Sequence, residues 1–226
     1  QEIIIDICRR QYFDMIQPHN NDCKLSYDIA KSYIDSFRTA IDVGCKIGSY
    51  TVNLVNDFQD IKCFEPRPQW ISAFWKNLVG HKLIPRLQLG VNNERNIKIK
   101  NIHHYDYALG DVRKNVRMFG GVITQERKDR PGDSGLKVKQ RLLDSFNFKN
   151  VDFIKIDVEG HEAKVLQGAI KTITNYRPLI VLEQNKVVEE FNKGGKFDAI
   201  NLLLDLGYKQ VAFDGKQDYV MKYKGL

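Results

Sequence analysis

The sequence predicts an α/β fold whose core is a mostly parallel β-sheet with one antiparallel edge strand. Short apolar runs alternate with helical patterns along the chain, which is the order of parallel strands joined by helices. Several of these runs end in an acid, at Asp42, Glu65, Asp157 and Glu183. The last two apolar runs flank Asp214 and Gly215, a hairpin signal that would supply the antiparallel strand.

The length and composition indicate a single soluble globular unit. The 226 residues can bury one sizeable core, and 42% hydrophobic with 28% charged residues is typical of a soluble protein. We expect residues 1–38 to form a helical lid or outer layer and residues 39–226 to form the main domain. No apolar run reaches the length of a membrane span and no signal peptide begins the chain, so we expect a cytoplasmic protein without a membrane partner. The four cysteines lack C-x-x-C spacing and are predicted to be reduced thiols.

The basic charge balance permits two interpretations. A net charge of +7 and a pI near 9.1 are compatible with a nucleic-acid partner. The basic residues are scattered, however, with local density only in RKDRPG and KVKQR and no interleaved aromatic residues. An anionic small substrate explains the charge as well as RNA does. Arg127, Lys128, Arg130 and Lys137 lie in a region of long loop or small hairpin and are candidates to hold an acidic or sugar-phosphate acceptor.

The first strand is followed by a glycine-rich turn that predicts a cofactor site. Asp42 would emerge at the carboxyl edge of the sheet, and Gly44 and Gly48 would let the backbone turn and approach a ligand closely. Ser49 is predicted to cap the next helix. The turn G-C-K-I-G lacks the third glycine of a dinucleotide fingerprint, and an acid is poorly placed beside a diphosphate. S-adenosylmethionine, which carries an ammonium and a sulfonium but no phosphate, fits this turn better.

Two later strand ends would complete a nucleoside site. Glu65 ends the run IKCFEP, where a carboxylate can bind both hydroxyls of an adenosine ribose, so Asp42 and Glu65 are interpreted as a nucleoside clamp. Tyr107 and Ala108 follow the third strand and are candidates to frame the adenine. An ordinary strand followed by a turn explains these two residues equally well.

The stretch from Val151 to Ala169 carries a second group of acids. Asp157 and Glu159 end a strand within three residues of each other, and their repulsion costs folding energy unless a cation, a metal or a proton offsets it. This cost favours a functional role. The alternative is that Lys155, on the same strand face as Asp157, simply pairs with a neighbouring acid.

The remaining patterns predict helices around the sheet. Apolar spacing indicates helices over 2–15, 26–37 with Ser26 as its N-cap, 50–58, 162–170 and 197–206. A further helix would begin near Pro66, with Trp70, Phe74 and Trp75 on its faces as core residues rather than as a stacking platform for adenine.

With these stretches in place, the sequence resembles the FkbM family of S-adenosylmethionine-dependent methyltransferases. The resemblance begins near Thr39 and follows the family's order through IDVGCKIGSYT, FEPRP, YALGD, RLLD, VDFIKIDVEGHEAKVLQGA, RPLIVLE and LGY. It implies a Rossmann-like class I methyltransferase fold with a seven-stranded sheet, helices on both faces and O-methylation of a hydroxyl. Cys45 and Lys46 depart from the small or polar pair usual in the family, and His161 stands where the family often has Ala.

The resemblance and the residue patterns together give a candidate site. The expected cofactor residues are Asp42, Gly44, Gly48, Ser49, Tyr50, Glu65, Tyr107, Ala108 and Asp157. Methyl donor and acceptor would meet at Asp157 and Glu159, and the candidate general bases are Glu159, His161 and Glu183. Asp157 and Glu183 end adjacent predicted strands, so a Mg²⁺ or Mn²⁺ ion that activates the hydroxyl is an alternative.

We therefore expect an O-methyltransferase for a hydroxyl of a sugar, a glycan or a similar small polyhydroxylated acceptor. One alternative is an RNA methyltransferase, but the fourth strand ends in DVEG and not in an Asn/Asp-Pro-Pro-aromatic element. The other is a noncatalytic binding module that keeps the fold. The chain begins at Gln1 and not at Met, which leaves open that it is one domain of a longer glycan-modifying protein.

Overall fold

The computed structural model of the protein describes residues 21–83, 96–119, 122–123, 135–184 and 197–225. The predicted helix over 2–15 lies outside these residues, as do Arg127, Lys128 and Arg130. Within the described ranges, Cys23, Cys45 and Cys63 are free thiols, as predicted. No helix in these ranges is both long enough and apolar enough to cross a bilayer.

The larger sheet has eight strands: β1 (Thr39–Val43), β2 (Asp60–Phe64), β3 (Asn96–Ile99), β4 (Ile102–Tyr105), β9 (Val151–Ile156), β10 (Leu179–Glu183), β11 (Tyr208–Phe213) and β12 (Asp218–Tyr223). Their order across the sheet is β11-β12-β10-β9-β1-β2-β4-β3. The central pairs β10–β9, β9–β1, β1–β2 and β2–β4 are all parallel. The predicted mainly parallel sheet is therefore confirmed.

The strand count and the position of the antiparallel strand differ from the prediction. β3 is an eighth strand at one edge, and it runs antiparallel to β4 because only Lys100 and Asn101 connect the two. β12 is also antiparallel, as the hairpin signal indicated, but it lies between β10 and β11 and not at the edge. The sheet therefore has one strand more than the seven predicted, because β3 adds to the edge by forming a short hairpin with β4.

A second, four-stranded sheet replaces much of the predicted loop region. It has the order β5-β8-β6-β7, with β5 (Ala108–Leu109), β6 (Lys114–Phe119), β7 (Val122–Ile123) and β8 (Leu136–Arg141). Val116 of β6 and Val138 of β8 are buried between exposed neighbours, which is the alternation of a half-buried sheet. The antiparallel pairing of β6 with β7 matches the alternative of a small hairpin.

Helices cover both faces of the larger sheet, as predicted. They are α1 (residues 21–31), α2 (Thr51–Leu54), α3 (Pro68–Gly80), α4 (Glu162–Gln167), α5 (Ile170–Tyr176) and α6 (Asp198–Asp205), with a 3₁₀ turn at Leu143–Phe146. Successive residues of β1 point to opposite sides: Ala40 packs with Tyr27 and Phe74 in one core, and Ile41 packs with Leu166 and others in a second core.

Two predicted helix starts are wrong. Ser26 lies inside α1 and not at its N-cap. Its hydroxyl does not cap a helix but donates to Asp218 Oδ2 at 2.5 Å. The helix expected over 50–58 is only α2, with Tyr50 as its N-cap and no side-chain capping bond, so Ser49 does not cap it. Phe74 and Trp75 are buried core residues of α3, as predicted.

Candidate active site

A cleft of about 770 Å³, open to solvent, lies at the carboxyl ends of β1, β2 and β9. Nearly all of the predicted cofactor residues line it, together with one predicted catalytic acid: Asp42, Gly44, Ser49, Tyr50, Glu65, Tyr107, Ala108, Asp157 and Glu159. Gly48, His161 and Glu183 do not line it. Most of the predicted site residues therefore line one cleft and three do not, and their roles stay predictions.

The glycine turn brings the first strand against the end of β9. Gly44 has a φ of +84°, and a Cβ added there would lie 1.8 Å from the carbonyl oxygen of Asp157. Its N–H donates to Phe64 O at 2.9 Å. Gly48, with a φ of +80°, approaches the Phe74 ring of α3, where a Cβ would be 2.8 Å away. Gly44 is thus required by the cleft itself, and Gly48 by the packing behind it.

The carboxylate of Asp42 lies at the floor of the cleft. It is fully buried and accepts a hydrogen bond from Thr51 Oγ1 at 2.5 Å. Burial raises its pKa to about 6, although the Thr51 hydroxyl and the Lys155 ammonium oppose the shift. Asp42 therefore carries its negative charge at neutral pH in a nearly dry environment, where a cationic ligand group would stabilise it.

Glu65 is held in place by a residue that the sequence analysis did not assign to the site. Its carboxylate is only 2% exposed, and Oε1 accepts from the backbone N–H of Arg67 at 3.0 Å and from Arg67 Nε at 2.8 Å. Arg67 Nη2 donates to Oε2 at 3.2 Å. The guanidinium also lies 5.4 Å from the ring centroid of Trp70. An arginine two residues after the strand-end acid was the available signal for this pair.

The turn after β9 presents Asp157 and Glu159 to the cleft. Asp157 N–H donates to Val43 O at 3.0 Å, and Glu159 and Gly160 adopt left-handed conformations with φ of +56° and +93°. Glu162, a residue not predicted for the site, holds this turn: its Oε1 accepts from the N–H groups of Val158 at 3.1 Å and Gly160 at 3.0 Å. The turn is therefore fixed by hydrogen bonds that its N–H groups donate to a side chain of α4.

Glu183 stands behind Asp157 rather than in the cleft wall. Burial, the charge of Asp157 and a hydrogen bond to Asp157 together raise the pKa of Glu183 far above its usual range. Glu183 therefore holds a proton more strongly than a solvent-exposed carboxyl does. Within the described residues, no group of three or more His, Cys, Asp or Glu side chains is arranged to hold a metal, so the predicted metal at Asp157 and Glu183 gains no support.

Lys155 is the buried cation beside these acids. Its Nζ donates to Asp218 Oδ1 at 2.6 Å and lies 5.4 Å from the ring centroid of Tyr50. Burial alone would lower the pKa of Lys155, but Asp218 and Asp157 outweigh it and raise that pKa. The alternative reading of Lys155, that it pairs with a neighbouring acid, thus describes its contact with Asp218. Because Ser26 also binds Asp218, this network ties α1 to the floor of the cleft.

His161 is the N-cap residue of α4 and does not line the cleft. Burial lowers its pKa to about 4; Lys164 and Lys114 add to this shift and Asp111 opposes it. Its Nε2 is buried and has no hydrogen-bond partner among the described residues. The ring is therefore neutral at neutral pH, and its burial outside the cleft differs from the predicted role as a base.

The side wall of the cleft is formed by strands β5, β6 and β7 of the second sheet and by the residue before β5. Tyr107 and Ala108 lie on it as predicted, and Met118 and Ile123 of β6 and β7 complete it. The last two were missed because the region between Arg113 and Gln140 was interpreted as a long loop or small hairpin. For Met118, the available signal in the sequence was the polar–apolar alternation Asn-Val-Arg-Met at 115–118.

The cleft has the chemistry that S-adenosylmethionine requires. Its polar wall combines the buried acids Asp42 and Glu65 with Ser49, whose buried Oγ has no hydrogen-bond partner among the described residues. Such acceptors suit an ammonium, a sulfonium and ribose hydroxyls better than phosphates. The residues present therefore fit this cofactor.

Comparison with known proteins gives a family and a fold. The model of the methyltransferase FkbM domain matches residues 42–210 of the chain. The crystal structure of methyltransferase FkbM from Methylobacillus flagellatus KT superposes with a TM-score of 0.55 at 18% identity. That superposition covers 83% of this chain and 43% of the other, so this chain spans less than half the length of that protein.

More distant structures are also methyltransferases. A putative methyltransferase from Streptococcus mutans in complex with SAH is 11% identical, with 87% of this chain and 93% of the other covered and a TM-score of 0.48. The N-methyltransferase NodS from Bradyrhizobium japonicum WM9 is also 11% identical, with 91% and 95% covered and a TM-score of 0.48. No curated protein sequence matches the chain.

Proposed function

This chain belongs to the FkbM methyltransferase family, and from that premise we propose that it is an S-adenosylmethionine-dependent O-methyltransferase. Its proposed acceptor is a hydroxyl of a sugar, a glycan or a similar small polyhydroxylated molecule. The observation that carries the proposal is the convergence of the Gly44 turn, Glu65 and Asp157 on one cleft, which joins cofactor residues to candidate catalytic acids.

The cofactor residues divide by the chemistry of their side chains. Glu65, oriented by Arg67, would accept hydrogen bonds from the ribose hydroxyls, and Tyr107 and Ala108 would border the adenine. Asp42 and Asp157 would lie near the cationic methionine portion, with the Ser49 hydroxyl available to it. When bound, S-adenosylmethionine supplies an electrophilic methyl group on its sulfonium.

Glu159 is the proposed general base. Methyl transfer is an in-line displacement, so the chain must align the acceptor oxygen and remove its proton as the new O–C bond forms. Glu159 lies in the cleft wall on a fixed turn and can accept that proton on its carboxylate. Glu183 is less suited as a base because it does not line the cleft, and through its hydrogen bond to Asp157 it would position that residue instead. His161 is also less suited, since it does not line the cleft.

The test of this function is methyl uptake from radiolabelled S-adenosylmethionine across a panel of neutral and acidic oligosaccharides. We expect label to become bound to at least one glycan and to resist mild base, as an ether does and a methyl ester does not. Transfer to RNA alone, or to no acceptor by a protein that binds the cofactor, would contradict the proposal.

A further inference from the structure

One face of β8 carries a row of basic side chains. Lys137, Lys139 and Arg141 alternate with the buried residues Val138 and Gln140, so they share the opposite face of the strand. Lys137 and Lys139 are exposed and Arg141 is half-buried. With a rise of about 3.4 Å per residue, this basic row spans roughly 13 Å.

The neighbouring strand adds to the positive charge rather than balancing it. Arg117 of β6 lies directly opposite Lys137 in the antiparallel register, and Asn115 lies opposite Lys139. The strands KNVRMF and LKVKQR contain no acid at all. Because residues paired across two strands point to the same side of a sheet, Arg117 shares one face with Lys137, Lys139 and Arg141.

Two exposed lysines elsewhere on the protein have acidic partners. Lys31 pairs with Asp57 at 2.7 Å and Lys216 with Asp22 at 2.6 Å. By contrast, no ion pair between described residues involves Lys137 or Lys139. Both lysines are exposed, so an anionic ligand in solvent can reach them.

The basic row ends at the wall of the cleft. The guanidinium of Arg141 lies 5.1 Å from the ring centroid of Tyr107, and Tyr107 lines the cleft. A chain-like molecule bound along the row would therefore reach the cleft with its end.

We propose that the basic row binds the anionic groups of an acidic glycan acceptor, whose carboxylates, phosphates or sulfates lie along β8 while its reacting hydroxyl enters the cleft. This inference rests on the proposed function and gives its acceptor a charge. A glycan is favoured over RNA because the exposed positions of the row, with Asn115 and Arg117, include no aromatic side chain. Proteins that bind single-stranded RNA combine basic grooves with aromatic platforms for the bases.

The test uses two variants with equal changes of net charge. Lys137→Glu/Lys139→Glu reverses two charges of the row, and Lys209→Glu/Lys224→Glu reverses two exposed lysines on or just after the hairpin strands β11 and β12. Binding of a fluorescein-labelled heparin decasaccharide, a probe of acidic glycans, is measured by anisotropy beside a labelled 15-nucleotide poly(U) RNA. We expect heparin affinity to fall roughly tenfold or more in the row variant and less than about twofold in the control.

Two results would overturn the proposed acceptor surface. The first is an equal loss of heparin affinity in the two variants, which would indicate only a long-range effect of net charge. The second is tighter binding of RNA than of heparin, with the RNA binding abolished in the row variant. Calorimetric titration of S-adenosylmethionine into the same preparations separates the two proposals. Wild type that binds the cofactor but not the glycan overturns the acidic acceptor alone, whereas wild type that binds neither overturns the proposed function as well. Unchanged cofactor binding in both variants supports an effect confined to the row.

Discussion

Arg67 clasps the carboxylate of Glu65 with its guanidinium and with its own backbone N–H, at distances of 2.8 to 3.2 Å. Both side chains are largely buried, and Glu65 ends the strand beside the glycine turn. The pair fixes the direction of the carboxylate before any ligand arrives. A carboxylate oxygen can accept more than one hydrogen bond, so Glu65 retains capacity for the two hydroxyls of a ribose. Arg67 is therefore a positioning residue in this account.

Arg67→Ala is expected to weaken S-adenosylmethionine binding by about tenfold, because charge-assisted hydrogen bonds contribute roughly 1.5–3 kcal/mol each and Glu65 would lose its orientation. Calorimetric titration measures the change, and Arg67→Lys is expected to recover part of it. In a Glu65→Gln background, Arg67→Ala should have little further effect. An equal loss in both backgrounds would show that Arg67 acts on the cofactor independently of Glu65.

Gly44→Ala is expected to destabilise the protein by about 3 kcal/mol or more, since the new Cβ would meet the carbonyl of Asp157 at 1.8 Å. Gly215→Ala is a matched control. Gly215 has a φ of +83°, close to the +84° of Gly44, but nothing lies within 4 Å of its added Cβ. The control should cost only about 1–2 kcal/mol from the backbone conformation. Urea unfolding of both variants gives the comparison, and equal costs would refute the close approach of β1 and β9.

The pH dependence of stability tests the position of His161. Its pKa is about 4 in the folded protein and 6.5 without the shift, so the unfolded chain binds the proton first as the pH falls. The contribution of the neutral, buried ring to the free energy of unfolding is therefore fully present above pH 6.5 and is lost progressively as the pH falls to 4. Relative to His161→Gln, the wild type should lose up to about 3 kcal/mol of unfolding free energy across this window. Parallel pH profiles for the two proteins would place His161 in solvent.

Glu159→Gln is expected to lower kcat by roughly 100-fold or more, the size of effect that general bases usually have. Its affinity for S-adenosylmethionine should stay within about twofold, because the amide keeps the shape of the side chain. Single-turnover methyl transfer to the glycan identified by the uptake screen measures the first quantity, and calorimetry measures the second. If this variant keeps full turnover, a group other than Glu159 removes the proton of the acceptor hydroxyl.

The strand-end acids were predictable because a short apolar run followed by an acid places that acid at the carboxyl edge of a parallel sheet. Asp42, Glu65 and Asp157 were found in this way. The second sheet was not predictable, because β5 and β7 have only two residues each and β5 pairs with β8, which lies far along the chain. The burial of His161 outside the cleft was not predicted either. Arg67 was missed because its contact with Glu65 depends on the backbone turn between them, which residue type alone does not determine.

The central claim is that Glu65 belongs to a cofactor site, and calorimetric titration of S-adenosylmethionine into wild type, Glu65→Ala and Asp152→Asn tests it most directly. Asp152 is a matched control, since Arg38 pairs with it in the same manner at the opposite, amino-terminal end of β1 and β9. The account predicts micromolar binding to wild type and Asp152→Asn, and loss of roughly 2 kcal/mol or more in Glu65→Ala. Equal binding by all three proteins, or no binding by the wild type, would contradict it.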